Sequence, residues 1–230
     1  MTDIFIVAGA RTAIGTFGGS LAGFRPAELG AIVIREAIGR AGLHGSDVEA
    51  VVLGTVVPTQ PKDMYASRVA AVTAGVPIEA PAMNVNRLCG SGLQAIVSAA
   101  QGIALGEQAI AIGAGAEVMS GALRVVEATR NGQKMGDLVL QDMMLGALHD
   151  PFETIHMGVT AENVAARCSI SREDQDALAV ESHKRAAHAI AQGYFKDQIV
   201  PVEVKTRKGV VAFETDEHVR ADASLRSEEH

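Results

Sequence analysis

An α/β fold, with a mixed but mostly parallel sheet covered by helices and a smaller α+β region after it, is what this sequence predicts. Three observations point to it. Residues 1–120 alternate short apolar runs with longer amphipathic stretches, the rhythm of a sheet with helices on both faces. The apolar 48% is carried by Ala, Val, Ile and Leu, with 24 Gly, 3% aromatics and no Trp, which suits closely stacked layers. After Gly113 the texture changes, and residues 121–160 have weak periodicity, scattered charge and four methionines, Met135, Met143, Met144 and Met157. The length can bury a sizeable core and hold one or two domains, and the change of texture divides it into 1–120 and 121–230.

The elements follow in order. A first strand is expected at 4–8; no basic stretch precedes it, which argues against a signal peptide. Pro26 opens a helix whose apolar face is Leu29, Ile32, Val33, Ala37 and Ala41, with Gly42 beyond its end. Val51-Val52-Leu53 is a buried strand, and a helix over 63–74 stops at Gly75. A short extended segment then enters a Gly-rich bend at Cys89, and a helix over 91–105 follows at once. That helix is uncharged and polar only at Gln94, Ser98 and Gln101, so burial on nearly all sides is expected, with Gly106 as its cap. A strand follows at 109–112. Long irregular stretches such as 121–160 are usually functional or disordered. Ser171-Arg172-Glu173-Asp174 has the form of a capping box, opening a helix to about Gln192 with Gly193 as its stop. Runs at 199–206 and 210–215 around Arg207-Lys208-Gly209 predict a hairpin.

Bulk properties exclude several classes. A net charge of −7 argues against a nucleic-acid or membrane-surface binder. No apolar run reaches the roughly 20 residues that span a bilayer. The two cysteines form no CxxC, so a reduced cytoplasmic protein is expected. No metal site is evident, since His183 and His188 do not share a helix face. Gly113-Ala114-Gly115 begins like a dinucleotide fingerprint but Val118 stands at the third glycine, and Gly15–Gly19 lacks the Gly-Lys-Ser/Thr of a P-loop.

From its setting alone Cys89 reads either as a nucleophile or as an inert core cysteine. A helix N-terminus offers unpaired N–H groups and about half a positive charge, and both stabilise an anion such as a sulfur nucleophile. Gly90 and Gly92 leave room for a substrate to approach. A cysteine in apolar surroundings is more often an inert core residue, the reading given to Cys168.

Asn86-Arg87-Leu88-Cys89-Gly90-Ser91-Gly92-Leu93-Gln94-Ala95 resembles the nucleophile motif of the thiolases. The likeness spans essentially the whole chain. Ala10-Arg11-Thr12-Ala13-Ile14-Gly15-Thr16-Phe17-Gly18-Gly19 is similar to the family's opening loop, His156-Met157-Gly158-Val159-Thr160-Ala161-Glu162-Asn163 to its loop-domain signature, and Asp216-Glu217-His218-Val219-Arg220 to a later segment of the coenzyme A site. The bacterial β-ketothiolases are the most similar branch. Ala116-Glu117-Val118-Met119-Ser120-Gly121 departs at Val118, where the family has Ser, which puts local packing in question. Family members also run beyond residue 230, where a second half repeats the fold and carries a catalytic His in Gly-His-Pro and a second catalytic Cys. None of the seven histidines here precedes Pro, and the chain closes on the polar tail 227–230, so a truncated chain, or one completed by a second polypeptide, is expected.

The resemblance implies reversible acyl transfer between acyl-CoA thioesters. Cys89 would attack the thioester or keto carbonyl and carry the acyl group, its own N–H helping to stabilise the oxyanion. Coenzyme A or the α-carbon of acetyl-CoA would then take that group. The resemblance further implies that Leu148 covers the pantetheine, that His156 and Met157 stand beside it and the acyl pocket, and that Arg220 meets the nucleotide end. Taken alone, His156 reads as a structural residue, Met157 equally as pocket wall or core filler, and Arg220 as a solvated side chain. Coenzyme A would be substrate, with no permanent cofactor or metal. Partners would be further copies, in a dimer or tetramer, or a complementing C-terminal half. Two rivals stand beside this reading: a ketoacyl-synthase-type condensing enzyme, against which the His-Met-Gly loop argues, and a non-catalytic fragment that binds ligand or assembles with a partner.

Overall fold

The structure, a computed structural model, describes residues 3–127 and 129–225; the tail at 227–230 lies outside them. Its centre is β1 (Ala50–Gly54), every residue buried. Two strands flank it in parallel, β2 (Ala82–Val85) and β3 (Ala111–Gly115), in the order β2-β1-β3. Strand alternation sorts the side chains of β1 between two layers. Val51 and Leu53 enter a cluster with Ala31, Ile34 and Ile38 of α1 (Pro26–Arg40) and Ala66, Ala70 and Ala71 of α2 (Ala66–Ala74). Val52 enters another with Ala95 and Ala99 of α3 (Ser91–Ala104). This is the helix–sheet–helix arrangement the sequence predicts. Leu53 and Ile34 are almost wholly buried, and each contributes about 1.5–3 kcal/mol by leaving water.

Small residues set the layer spacing. A Cβ on Gly30 of α1 would stand 3.3 Å from the Cβ of Ala70 on α2. On the other face, a Cβ on Gly113 would lie 2.5 Å from the Cα of Ile96 in α3, and one on Gly54 would lie 2.5 Å from the carbonyl carbon of Ser91. Gly113→Ala must therefore push backbone against backbone, and is expected to cost about 1–3 kcal/mol. A thermal melt checks this, with Gly39→Ala as control because a Cβ there meets nothing within 4 Å.

Several expectations are corrected. Residues 4–8 form no strand, and Phe5 is 77% and Ile6 84% exposed. The deeply buried positions of α1 include Ala27, Ala31, Ile34 and Ile38, whereas of the expected face only Leu29 is fully buried. Val33, Ala37 and Ala41 instead line a groove of about 1100 Å³. Residues 4–8 form one wall of this groove and β3 another, with Ile96, Ala99 and Ile103 of α3 on its lining. Because the groove is open, α3 is not buried on nearly all sides. Ser91, Ala95, Ala99 and Gly102 make one buried stripe, while Leu93 is 69% exposed. The third strand begins at Ala111 rather than 109, Ala109 donating its N–H to the Glu49 carboxylate.

Within the irregular stretch lie a two-residue pair, β4 (Arg124–Val125) with β5 (Gln141–Asp142), and α4 (Met143–Ala147), which Asp142 caps by accepting from Met144 and Leu145 N–H groups. The next helix, α5 (Met157–Arg167), starts inside the stretch read as irregular. The N-cap half of the expected capping box holds: Ser171 Oγ accepts the Asp174 N–H at 3.0 Å and opens α6 (Arg172–Ala191), while the Asp174 carboxylate accepts from the Ser171 hydroxyl at 2.8 Å. The hairpin also holds, as β6 (Val202–Thr206) and β7 (Gly209–Phe213). Val118 is buried with Ala13, Leu21, Leu29, Val202 and Phe213, a site where an apolar side chain fits and a hydroxyl would need a partner. No helix among the described residues is long and apolar enough to cross a membrane.

Candidate active site

Cys89 stands at the end of a braced bend. Ser91, only 4% exposed, accepts the Arg87 N–H on its Oγ at 2.8 Å and donates to the Leu88 carbonyl at 2.6 Å. Asn86 Oδ1 accepts the Leu88 N–H at 3.0 Å, and Gly90 and Ser91 N–H groups bond back to Arg87 and Leu88 carbonyls. Leu88 is thereby held at φ 48°, a left-handed conformation that a leucine rarely adopts, and the strain falls on the residue before Cys89. The chain turns sharply, Gly90 becomes the N-cap of α3, and the Cys89 thiol is exposed beside the first turn. Space beside Gly92 is open, as expected. Arg87 donates to Gln94 at 2.7 Å and Gln94 to Ser98 at 3.0 Å, so the polar stripe of α3 ties the bend to its helix. Ser91 was missed as a brace in the sequence; a hydroxyl two residues past the cysteine was its only sign.

Cys168 is exposed too, not a core residue, and it caps the C-terminal end of α5. The two thiols thus sit at opposite ends of helix dipoles.

The loop residues converge. Met157 donates its N–H to the Leu148 carbonyl at 2.9 Å, which brings Leu148, His156 and Met157 to the mouth of one closed loop. His156 is the N-cap of α5, accepting the Gly158 N–H on Nδ1 at 3.0 Å, and Met157 is 42% exposed. Arg220 is on a separate segment, where its N–H donates to His183 Nδ1 at 3.2 Å. The groove connects regions distant in sequence, since Gly92, Met119, Met144 and His218 all line it.

The 216–220 segment is clamped to the opening loop. Arg11 grips Asp216 with both guanidinium nitrogens, at 2.8 and 3.0 Å, and the Ile14 N–H also donates to Asp216 at 2.8 Å. Glu217 accepts from the Thr16 N–H at 2.8 Å and from the Ser20 hydroxyl. The Arg11 hydrogen bond is the main cause holding Asp216 below its ordinary 3.8, and the Ser20 hydroxyl is the main cause lowering Glu217 below 4.5. Glu117 moves the other way: burial raises it, although Val56 and Val57 N–H groups donate to it.

Asp216 and Glu217 predict an acid sensitivity. A carboxyl lowered on folding contributes stability that is complete above its unfolded value and is lost as pH falls through the folded one. The clamp should therefore hold at neutral pH and weaken below about pH 4, from the Asp216 reference of 3.8 downward. Urea midpoints measured against pH should fall less steeply in that range for Asp216→Asn than for the parent chain. Equal slopes would remove Asp216 from the clamp.

Residues 4–227 match the family described as the thiolase N-terminal domain. The chain belongs to the thiolase family. The beta-ketothiolase BktB of Cupriavidus necator is 64% identical to this thiolase chain, over 97% of the chain and 57% of that protein. An acetyl-CoA acetyltransferase of the same bacterium is 47% identical over 99% of the chain and 58% of its own length. Among solved structures, human mitochondrial 3-ketoacyl-CoA thiolase superposes with a TM-score of 0.94 at 37% identity, covering 97% of the thiolase chain and 57% of the other. The same human enzyme in complex with CoA gives 0.92 at 35% identity, with 97% and 56% covered. The thiolase chain therefore spans about 57% of the length of such relatives.

Proposed function

We propose that this chain supplies the nucleophile and the coenzyme A-facing loops of an enzyme that transfers acyl groups between acyl-CoA thioesters. The Ser91-braced bend, which holds an exposed Cys89 at the start of α3, is the observation that carries it. The relatives' names, acetyl-CoA acetyltransferase and beta-ketothiolase, agree with that chemistry.

In the mechanism, Cys89 Sγ attacks the carbonyl of acetyl-CoA or of a 3-ketoacyl-CoA. The tetrahedral oxyanion is stabilised by the Cys89 N–H, and collapse breaks the bond to coenzyme A sulfur, or to the α-carbon of a 3-ketoacyl-CoA, expelling coenzyme A thiolate or the acetyl-CoA α-carbanion and leaving the acyl group on Cys89 sulfur. Coenzyme A thiolate or the α-carbanion of acetyl-CoA then takes the acyl group. Leu148, His156 and Met157 line the path of the pantetheine arm, and Arg220, held by the clamp and by His183, meets the nucleotide end. Residues 1–120 form the catalytic core and 121–230 the loop domain. The match to the thiolase N-terminal domain argues against the ketoacyl-synthase reading.

The open groove favours a companion reading. The apolar walls at 4–8, β3 and α3 are surfaces that more polypeptide would cover, and the relatives have the length to provide it. Activity would then depend on that polypeptide, or on another copy of the chain.

Iodoacetamide labelling followed by peptide mapping tests the nucleophile. A helix end is worth about 0.3–1 kcal/mol to a neighbouring charge, favourable at the N-terminus and unfavourable at the C-terminus. The two ends together predict that Cys89 is labelled ahead of Cys168. Equal rates, or faster labelling of Cys168, would remove the electrostatic basis of the assignment.

A further inference from the structure

His149 is a chemistry-bearing side chain at the loop mouth to which the mechanism gives no role. Its ring meets that of His156 edge to face, with centroids 5.2 Å apart and planes at 84°. The hydrogen bonds fix the neutral form of each ring. His149 Nδ1 lies 2.6 Å from the Leu145 carbonyl, which can only accept, so Nδ1 carries the proton and Nε2 is bare. His156 Nδ1 accepts the Gly158 N–H, so it is bare and Nε2 carries the proton. One ring thus caps the C-terminal end of α4 and the other the N-terminal end of α5, with opposite tautomers, and each packs on the other. The backbone reinforces the pair: His149 and His156 face each other across a bridge, with Asp150 N–H to Ile155 carbonyl and Met157 N–H to Leu148 carbonyl, both at 2.9 Å, on either side.

From this we infer that His149 is a positioning residue, holding the His156 imidazole as an Nε2–H donor presented to the acyl-CoA arm. The inference rests on the acyl-CoA reading for the identity of what is presented, but not for the pairing of the rings. An exposed imidazole capping a helix through one nitrogen can turn about χ1 and lose that bond. A second ring against its edge restricts the turn, and the Leu145 carbonyl restrains the second ring in its place. The donor nitrogen is therefore set before substrate arrives. An amide carbonyl, the acceptor that recurs along a pantetheine chain, is the group it suits.

Two-bond proton–nitrogen correlation spectra of the full chain, with histidine labelled by ¹⁵N, test the pairing directly. In the parent chain His156 should show one protonated and one bare ring nitrogen, the pattern of a single tautomer. In His149→Ala the two nitrogen shifts should move toward each other as tautomers interchange, while amide signals outside 143–160 stay in place. His149→Phe keeps a ring edge without the Leu145 bond and should retain most of the parent pattern. An unchanged His156 pattern in His149→Ala would overturn the inference. If the alanine variant loses the loop altogether, the phenylalanine variant decides alone, with an averaged pattern counting against the ring contact. Titration with acetyl-CoA separates the two claims. No movement of His156 signals in the parent chain would sink the acyl-CoA reading while leaving the pairing result intact.

Discussion

Replacing Cys89 with alanine is expected to lower acyl transfer by the assembled enzyme on the order of 10⁴-fold or more, because the step that splits the reaction in two loses its nucleophile. Binding should survive, since the residues proposed to hold the coenzyme A arm are at the end of α4, the start of α5 and the 216–220 segment and not on the bend. Thiolysis of acetoacetyl-CoA gives the rate, and a titration with coenzyme A gives the affinity. A variant with near-normal turnover would mean that the exposed thiol at the head of α3 is incidental. Cys168→Ala should change neither quantity.

The second large effect is expected from polypeptide outside this chain. General acid–base assistance contributes about 10²–10⁴-fold for each group. The proposed mechanism needs one group to activate Cys89 and another to move the α-proton of acetyl-CoA. The groove beside β3 also leaves Phe5, Ile6 and Ile96 exposed to water, so the chain by itself should associate or bind hydrophobic dyes. Adding a polypeptide equivalent to the remaining length of the relatives should restore turnover by at least about 10²-fold and suppress dye binding together. Full turnover by chain of verified mass with no second polypeptide would show that the catalytic groups lie within these residues.

The parts legible in the sequence were those where local rules and tertiary context agree. The Cys89 bend, the N-cap at Ser171, the hairpin at Arg207-Lys208 and the stop at Gly75 are specified within a few residues, and each is where the sequence puts it. The run at 4–8 has the composition of a strand, but a strand requires a neighbour to bond to, and composition cannot report whether that neighbour is present. The same cause explains α3: its apolar surface is a property of the sequence, whereas its exposure depends on what packs there. The face of α1 was misjudged because the helix is apolar on more than one side, serving both the sheet core and the groove. The clamp was invisible because Arg11 and Asp216 are 205 residues apart and only folding brings them together. His149 went unremarked because its role comes from a second ring across a loop closure.

The central claim is that Cys89 carries the acyl group. Its most direct test is the intact mass of the chain after mixing with acetyl-CoA, with the complementing polypeptide present and the reaction quenched in acid. The account predicts a mass gain of one acetyl group, located by peptide mapping on Cys89, removed by added coenzyme A, and absent from Cys89→Ala. An acetyl group on any other residue, or one that persists in Cys89→Ala and still transfers to coenzyme A, would contradict it.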